Sequence, residues 1–203
     1  SKSDSSKSSS SDEITIGFSQ VGAESDWRTA NTESMKSTFS EENGYNLIFD
    51  DAQQKQENQL TAIRNFIQQE VDYIVLAPVT ETGWDTVLQE AKDAGIPVII
   101  VDRMVDVSDD SLYTAWVGSN FKLEGQKAMA WLDAYLEAKG RGDEEINLVD
   151  IQGTIGASAQ IGRTQGFDDA VEAHDNWTTL AQQSGEFTQA KGQEVMAVSY
   201  THL

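Results

Sequence analysis

The order in which short apolar runs and amphipathic stretches follow one another constrains the fold of this chain more than any other feature. Apolar runs with strand character, such as ITIGF and YIVL, alternate with stretches whose apolar residues recur at helical spacing, such as Leu60, Ile63 and Ile67. This strand–helix alternation predicts an α/β fold with parallel sheets and right-handed crossover connections.

Polar residues follow nearly every predicted strand. In an open parallel α/β sheet, ligands bind in the crevice beyond the carboxyl ends of the strands. The pattern therefore predicts one shared binding cleft. The polar residues that follow the apolar runs are Ser19 and Gln20, Asp50 and Asp51, Thr80 and Glu81, Asp102 and Arg103, Ser119 and Asn120, and Gln152.

An irregular stretch in the middle of the chain, residues 104–118, predicts a boundary between two Rossmann-like lobes. The first lobe is expected over residues 13–117. A partial second lobe is expected over residues 118–196, because only two further strands, at 146–151 and 177–181, follow the boundary strand. The second lobe is therefore predicted to be incomplete.

Both ends of the chain differ in character from the predicted lobes. Residues 1–12, SKSDSSKSSSSD, have the composition of a Ser-rich flexible linker. Such a segment is typical of the stretch that follows the lipidated cysteine of a lipoprotein, and a disordered start without an anchor is an equally good interpretation. Residues 197–203 are expected to be a non-native tail of a truncated gene product.

The composition excludes several classes of function. The 203 residues include 34 acidic and 14 basic side chains, for a net charge of −20. A chain this acidic is a poor candidate for nucleic-acid binding, which needs clusters of Lys and Arg to neutralise phosphates. Cysteine is absent, so a disulfide or a thiolate metal site within the chain is excluded, which fits an extracytoplasmic protein. No apolar run approaches the ~20 residues of a membrane-spanning helix.

No arrangement of residues in the sequence points to catalysis. The chain has two histidines, His174 and His202, and neither is accompanied by a nucleophile in a recognisable pattern. Gly153-Thr-Ile-Gly156 resembles half of a phosphate-binding loop, but it lacks the Lys and the spacing of that motif. We therefore predict a protein that is not an enzyme and has no cofactor or metal.

Two pairs of adjacent residues suggest a carbohydrate ligand. Arg103 offers a planar set of N–H donors and Asp102 offers two acceptor oxygens, which together match neighbouring hydroxyls of a sugar. Trp27, next to Arg28, adds a flat apolar face that can stack on the C–H face of a sugar ring. For Trp27, packing in the core and stacking on a ligand are equally good interpretations.

Several longer segments resemble one known family. The chain resembles the sugar-binding proteins of ABC importers, which have the type I periplasmic-binding-protein fold, and within them the galactofuranose-binding group. The resemblance covers about residues 13–196. The segments that carry it are GFSQVGAESDWR (17–28), DDAQQKQENQ (50–59), LAPVTETGWDTVLQEAKDAGIPV (76–98), VDRMVDV (101–107), IQGTIGASAQIGRTQGF (151–167) and SGEFTQAKGQEVM (184–196).

The resemblance implies two α/β lobes that close on one monosaccharide. It implies that Ser19, Trp27 and Arg28 contact the sugar ring and that Asp102 and Arg103 bind its hydroxyls. From the second lobe it implies contacts by Asn120 and Arg163. Gln20, Glu24 and Gln53 are weaker candidates. The family pattern continues with the rest of the second lobe where this chain ends in VSYTHL.

The resemblance also implies a biological setting. The expected function is capture of a galactofuranose-like monosaccharide for the permease of an ABC transporter, by a monomer in the periplasm or lipid-anchored at the outer face of the membrane. Two alternatives share the fold: the effector-binding core of a sugar-responsive transcription regulator, and the sugar-sensing partner of a receptor. The acidic charge and the Ser-rich start disfavour the regulator, which would need a basic DNA-binding segment.

Overall fold

A five-stranded parallel sheet forms the centre of the first lobe in the computed structural model, which describes residues 13–202. The second strand of the chain lies at one edge of this sheet and is followed, in order, by the first, third, fourth and fifth strands. All pairings in this sheet are parallel, which confirms the predicted α/β class. The elements of this lobe are β1 (Ile14–Gln20), α1 (Asp26–Thr38), β2 (Tyr45–Asp51), α2 (Gln56–Gln68), β3 (Tyr73–Leu76), α3 (Asp85–Asp93), β4 (Val98–Asp102) and β5 (Ala115–Gly118).

Helices cover both faces of this sheet. On one face, Ile63 and Phe66 of α2 and Leu88 of α3 pack against buried strand residues. On the other face, Met35 of α1 packs against a cluster that includes Phe18. Burial on both faces explains why the central strands have nearly continuous apolar sequences rather than alternating ones.

Close packing of α2 on the sheet requires glycine at position 17. A Cβ atom at Gly17 would lie 2.4 Å from the ring of Phe66, which is much too close for two carbon atoms that are not bonded to each other. The glycine therefore lets the Phe66 ring rest directly on the backbone of β1. This contact holds the carboxyl end of β1, and the residues that follow it, against the helical layer.

The second lobe consists of two parallel strands and three helices within residues 13–202. Its elements are α4 (Phe121–Ala138), β6 (Ile146–Gln152), α5 (Ser158–Glu172), β7 (Trp177–Ser184) and α6 (Gln189–His202). Helices α4 and α5 approach closely, because a Cβ atom at Gly125 would lie 2.4 Å from the Arg163 carbonyl oxygen. None of the helices in the described part of the chain is long and apolar enough to cross a membrane.

Three boundaries differ from the sequence-based expectation. The pair Asn43-Gly44 predicts the end of the first helix, but α1 already ends at Thr38, and Gly44, with φ +86°, instead ends a separate short 3-10 helix, Glu41–Asn43. The apolar run from Tyr113 to Val117 predicts a strand over those residues, but β5 begins two residues later, at Ala115. Helix α6 extends to His202, past the end expected near Met196, while the origin of residues 197–203 as a non-native tail stays a prediction, and residues 1–12 lie outside the described residues.

Candidate functional site

A cavity of about 260 Å³ lies where the two lobes meet, beyond the carboxyl ends of β1 and β4. The first lobe contributes the segment from Glu24 to Arg28 and the pair Asp102 and Arg103, and the second lobe contributes part of α5 and the loop before α6. We call this cavity the cleft. Its lining consists of Glu24, Ser25, Trp27, Arg28, Asp102, Arg103, Ala159, Arg163 and Phe187.

Arg28 is only 2% exposed, and its guanidinium donates hydrogen bonds to three side chains of the protein. Its Nε donates to Glu24 Oε1 at 2.9 Å, and its Nη2 donates to Asp102 Oδ2 at 2.8 Å. Its Nη1 donates to Gln20 Oε1 at 3.3 Å. The cap of α1 sets this position, since the side chain of Ser25 accepts a hydrogen bond from the backbone N–H of Arg28. The guanidinium therefore links the end of β1 to the end of β4.

Arg103 lies beside this network and is also buried. Its Nη1 donates to the Val79 carbonyl oxygen at 2.9 Å, and its Nη2 lies 3.6 Å from Glu24 Oε1. Burial, together with repulsion from the nearby Arg28, lowers the pKa of Arg103 to about 10, while Glu24 and Asp102 act in the opposite direction. Arg103 remains charged at neutral pH, and its charge is poorly solvated.

The cleft leaves specific groups available to a ligand. Glu24 Oε2 is buried and has no hydrogen-bond partner among residues 13–202. The Trp27 ring is 58% exposed and lies beside Arg28, whose guanidinium carbon is 4.9 Å from the ring centroid. A flat apolar ring next to charged donors and a free acceptor suits a small molecule that has both a C–H face and several hydroxyl groups.

Arg163 and Phe187 bring the second lobe into the cleft. The ring of Phe187 faces two arginine side chains. Its centroid is 4.9 Å from the guanidinium carbon of Arg103 and 5.9 Å from that of Arg163. Arg163 Nε also donates to Glu124 at 2.9 Å. Phe187 therefore connects an arginine of each lobe through cation–π contacts.

Five of the seven residues expected to bind a ligand come together in the cleft: Trp27, Arg28, Asp102, Arg103 and Arg163. The other two, Ser19 and Asn120, are not part of the lining. Ser19 is fully buried in β1, and its Oγ has no partner among the described residues. The Asn120 side chain caps α4 by accepting from Leu123 N at 3.0 Å. Ligand contact by these two residues stays a prediction.

The three weaker candidates lie at different positions relative to the cleft. Glu24 lines the cleft, whereas Gln20 lies behind it and hydrogen-bonds Arg28, Asn31 and Thr32. Gln53 is exposed and outside the lining, in a turn where its φ is +52°. Sequence reasoning did not identify Phe187, because this residue does not directly follow a predicted strand. In the structure it lies in the turn before α6, with a φ of +57°.

A second cavity, of about 420 Å³, adjoins the cleft and shares Arg163 and Phe187 with it. It lies between α4, α5 and the end of β6. Asp150 lines this cavity, and its Oδ2 is buried without a partner among residues 13–202. Burial raises the pKa of Asp150, and the charge of Asp168 raises it further.

Comparison with known proteins places this geometry in a family. Residues 16–201 match the sequence profile of the periplasmic binding protein domain. The chain belongs to the periplasmic binding protein family. The galactofuranose-binding protein YtfQ of Escherichia coli (strain K12) is 48% identical over 183 residues, which make up 90% of this chain and 56% of that protein.

Solved structures agree with this assignment. A protein of Mycobacterium smegmatis, crystallised in complex with β-D-fucofuranose, is 46% identical and superposes with a TM-score of 0.87 over 93% of this chain and 61% of that one. The periplasmic binding protein component of the arabinose ABC transporter of Shewanella sp. ANA-3, bound to α- and β-L-arabinofuranose, is 47% identical, with a TM-score of 0.84 over 93% of this chain and 60% of that one. The chain therefore spans less than two thirds of the length of these relatives.

Proposed function

We propose that this chain captures a monosaccharide in the furanose form, of the galactofuranose type, in the cleft between its lobes. The observation that carries the proposal is the arrangement of buried Arg28, Arg103 and Glu24 beside the exposed ring of Trp27. This arrangement offers fixed donors, a free acceptor and a stacking face within one small cavity. Such a combination of a few oriented polar groups with an apolar wall is typical of small-molecule sites.

The relatives support a furanose rather than a pyranose. At 46–48% identity, the names and titles of three of them mention galactofuranose, fucofuranose or arabinofuranose. A furanose carries an exocyclic chain or substituent outside a flat five-membered ring. It therefore presents both a C–H face for stacking on Trp27 and hydroxyls that reach several donors at once.

Each residue of the cleft receives a role in this proposal. Trp27 stacks on the ring, Arg28 and Arg103 donate to hydroxyl oxygens, and Asp102 accepts from hydroxyl groups. Arg163 donates from the second lobe. Because both lobes contribute, ligand contacts favour the closed arrangement of the lobes, as in other hinge-closing proteins.

The proposed setting is transport. We infer an extracytoplasmic solute-binding protein that acts as a monomer, delivers its sugar to the permease of an ABC transporter and catalyses no reaction. The names of the relatives support this setting, since they describe binding proteins and a transporter component rather than enzymes. Attachment to the membrane through a lipid belongs to the same proposal.

Two measurements with galactose test the proposal. Titration calorimetry measures whether the sugar binds, and ¹³C NMR spectra of galactose labelled at C1 show which ring form binds. The furanose and pyranose forms have separate C1 signals, and we expect selective broadening of the furanose signals when the protein is added. Binding heat without selective broadening would contradict furanose recognition, and the absence of binding by any tested monosaccharide would contradict the function itself.

Replacing Arg103 with Ala tests the site. A hydrogen bond to a charged group contributes about 1.5–3 kcal/mol, so we expect the affinity to fall about 10- to 150-fold. The matched control is Arg141→Ala, which removes an arginine whose ion pair with Glu144 is about half exposed. Equal affinities of the two variants would show that the sugar binds elsewhere.

A further inference from the structure

Asp102 adopts a backbone conformation that is rare for its residue type. It is the last residue of β4 and has a φ of +61°, in the left-handed region. Asp enters this region more easily than most residues, but the conformation persists only when the surrounding contacts hold it. In this conformation the carboxylate meets Nη2 of Arg28 at 2.8 Å. The direction of the Asp102 side chain therefore depends on whatever holds its backbone.

The contact that holds this backbone comes from the neighbouring strand. The indole Nε1 of Trp116, on β5, donates to the carbonyl oxygen of Asp102 at 3.2 Å. In the parallel register, Trp116 lies opposite Ile100, and Gly118 lies opposite Asp102. The indole thus reaches along the strand by two residues to bind the carbonyl.

Gly118 provides the space for this contact. A Cβ atom at position 118 would lie 2.3 Å from the Asp102 carbonyl oxygen and 2.5 Å from Trp116 Nε1. Any larger residue would therefore separate the donor from the acceptor. Three features point to the same interaction: the φ of Asp102, the hydrogen bond from the indole, and a glycine at the crossing point.

We propose that Trp116 is a positioning residue for the sugar site. Its indole N–H fixes the left-handed backbone of Asp102, and Asp102 in turn orients the guanidinium of Arg28 in the cleft. Trp116 itself does not line the cleft. The inference rests on the function proposed above, since it concerns the same site.

The location of Trp116 gives this role a further consequence. Strand β5 ends at Gly118, and two residues later the chain enters α4 of the second lobe. The indole therefore ties a ligand-binding residue of the first lobe to the segment that joins the lobes. A change in this segment reaches Asp102 through this hydrogen bond as well as through the pairing of β5 with β4.

Replacing Trp116 with Phe removes the N–H donor and keeps an aromatic ring. A neutral hydrogen bond contributes about 0.5–1.5 kcal/mol, so we expect the sugar affinity to fall about 2- to 12-fold. The matched control is Trp131→Phe, the same change at a ring that is 66% exposed on α4 and stacks on Tyr135. We expect the control to bind sugar like the unmodified protein.

A measurement without sugar separates this proposal from the proposed function. The Arg28 Nε–H, bonded to Glu24, reports on the guanidinium in ¹H–¹⁵N spectra. We expect this signal to shift and to exchange faster with solvent in Trp116→Phe and not in Trp131→Phe. If this occurs but the unmodified protein binds no sugar, the function fails and the positioning role stands. An unchanged Arg28 signal in Trp116→Phe overturns the positioning role, whatever the affinity.

The unmodified protein offers a test that does not depend on whether a variant folds. We expect the indole N–H of Trp116 to exchange with solvent more slowly than that of Trp131, since it is bonded to a backbone carbonyl. Equal exchange at the two indoles would overturn the proposal.

Discussion

Replacing Arg28 with Met is expected to destabilise the folded protein strongly. The side chain of Arg28 is 3% exposed and that of its partner Glu24 is 2% exposed, so neither charge is solvated by water. Removing one partner of a buried ion pair typically costs about 3–5 kcal/mol, because the other charge is left without compensation. Met is shorter than Arg but keeps an unbranched apolar stem, so most of the loss reflects the charge and its hydrogen bonds.

Three features of the cleft place the expected loss at the lower end of this range, at about 3 kcal/mol. Arg103 stays 3.6 Å from Glu24 and compensates part of its charge. Removing Arg28 also relieves the repulsion that helps to lower the pKa of Arg103. The carboxylate of Asp102 is 17% exposed and regains some hydration. For a chain of this size, a loss of about 3 kcal/mol lowers Tm by about 6–12 °C.

Arg64→Met is the matched control, because Arg64 forms an ion pair of the same length at the surface. Arg64 Nε lies 2.8 Å from Glu90, and the two side chains are 48% and 38% exposed. Surface ion pairs contribute about 0–1 kcal/mol, so this variant should unfold almost like the unmodified protein. Urea unfolding followed by circular dichroism measures both changes. If Arg28→Met costs less than about 1 kcal/mol, like Arg64→Met, the reasoning from burial is refuted.

Asp150 and Arg103 support two further predictions. Asp150→Asn should raise the free energy of unfolding by about 0.5–1 kcal/mol near neutral pH, because the buried Oδ2 of the carboxylate has no partner in the described chain. Burial raises the folded-state pKa of Asp150. Above that pKa the charged carboxylate lowers the free energy of unfolding by the full amount, and this loss disappears as the pH falls towards the ordinary value of 3.8, so the advantage of Asn should disappear as well. Urea unfolding near pH 7 and near pH 3.8 measures the free energy of unfolding under the two conditions. An equal increase in this free energy in Asp143→Asn, which removes the same charge from an exposed loop, would contradict the prediction. Sugar affinity should stay constant up to about pH 9 and fall by up to about twofold near pH 10, where half of Arg103 loses its positive charge and therefore its charge-assisted hydrogen bond to the sugar. Calorimetry across this range would show a flat profile if Arg103 did not contact the sugar.

The order of the elements and the position of the cleft were predictable from the sequence. Both depend on local patterns: apolar periodicity distinguishes strands such as β3 from helices such as α2, and parallel strands place their carboxyl ends at one edge of the sheet. The pairs Trp27-Arg28 and Asp102-Arg103 follow predicted strands, so the parallel topology places both pairs at the same edge of the sheet.

Helix ends were less predictable, because competing end signals lie close together. Gly44 is a strong signal for the end of a helix, yet α1 ends at Thr38 and Gly44 ends the following 3-10 helix. The sequence offers Ser25 and Asp26 as possible N-caps, and the structure selects Ser25, whose side chain accepts a hydrogen bond from the backbone N–H of Arg28. A cap acts through one local hydrogen bond, whereas the end of α1 depends on how the chain enters β2.

Tertiary structure alone decided how the polar groups at the strand ends are used. Ser19 and Gln20 are neighbours in sequence, but Ser19 is buried in the sheet and Gln20 turns towards Arg28. The indole of Trp116 and the ring of Phe187 reach the cleft network from distant parts of the chain. A sequence pattern shows which residues lie at the edge of a sheet, because that depends on local periodicity. Which of them bind one another depends on distances set by packing between segments far apart in sequence, and only the folded chain determines those distances.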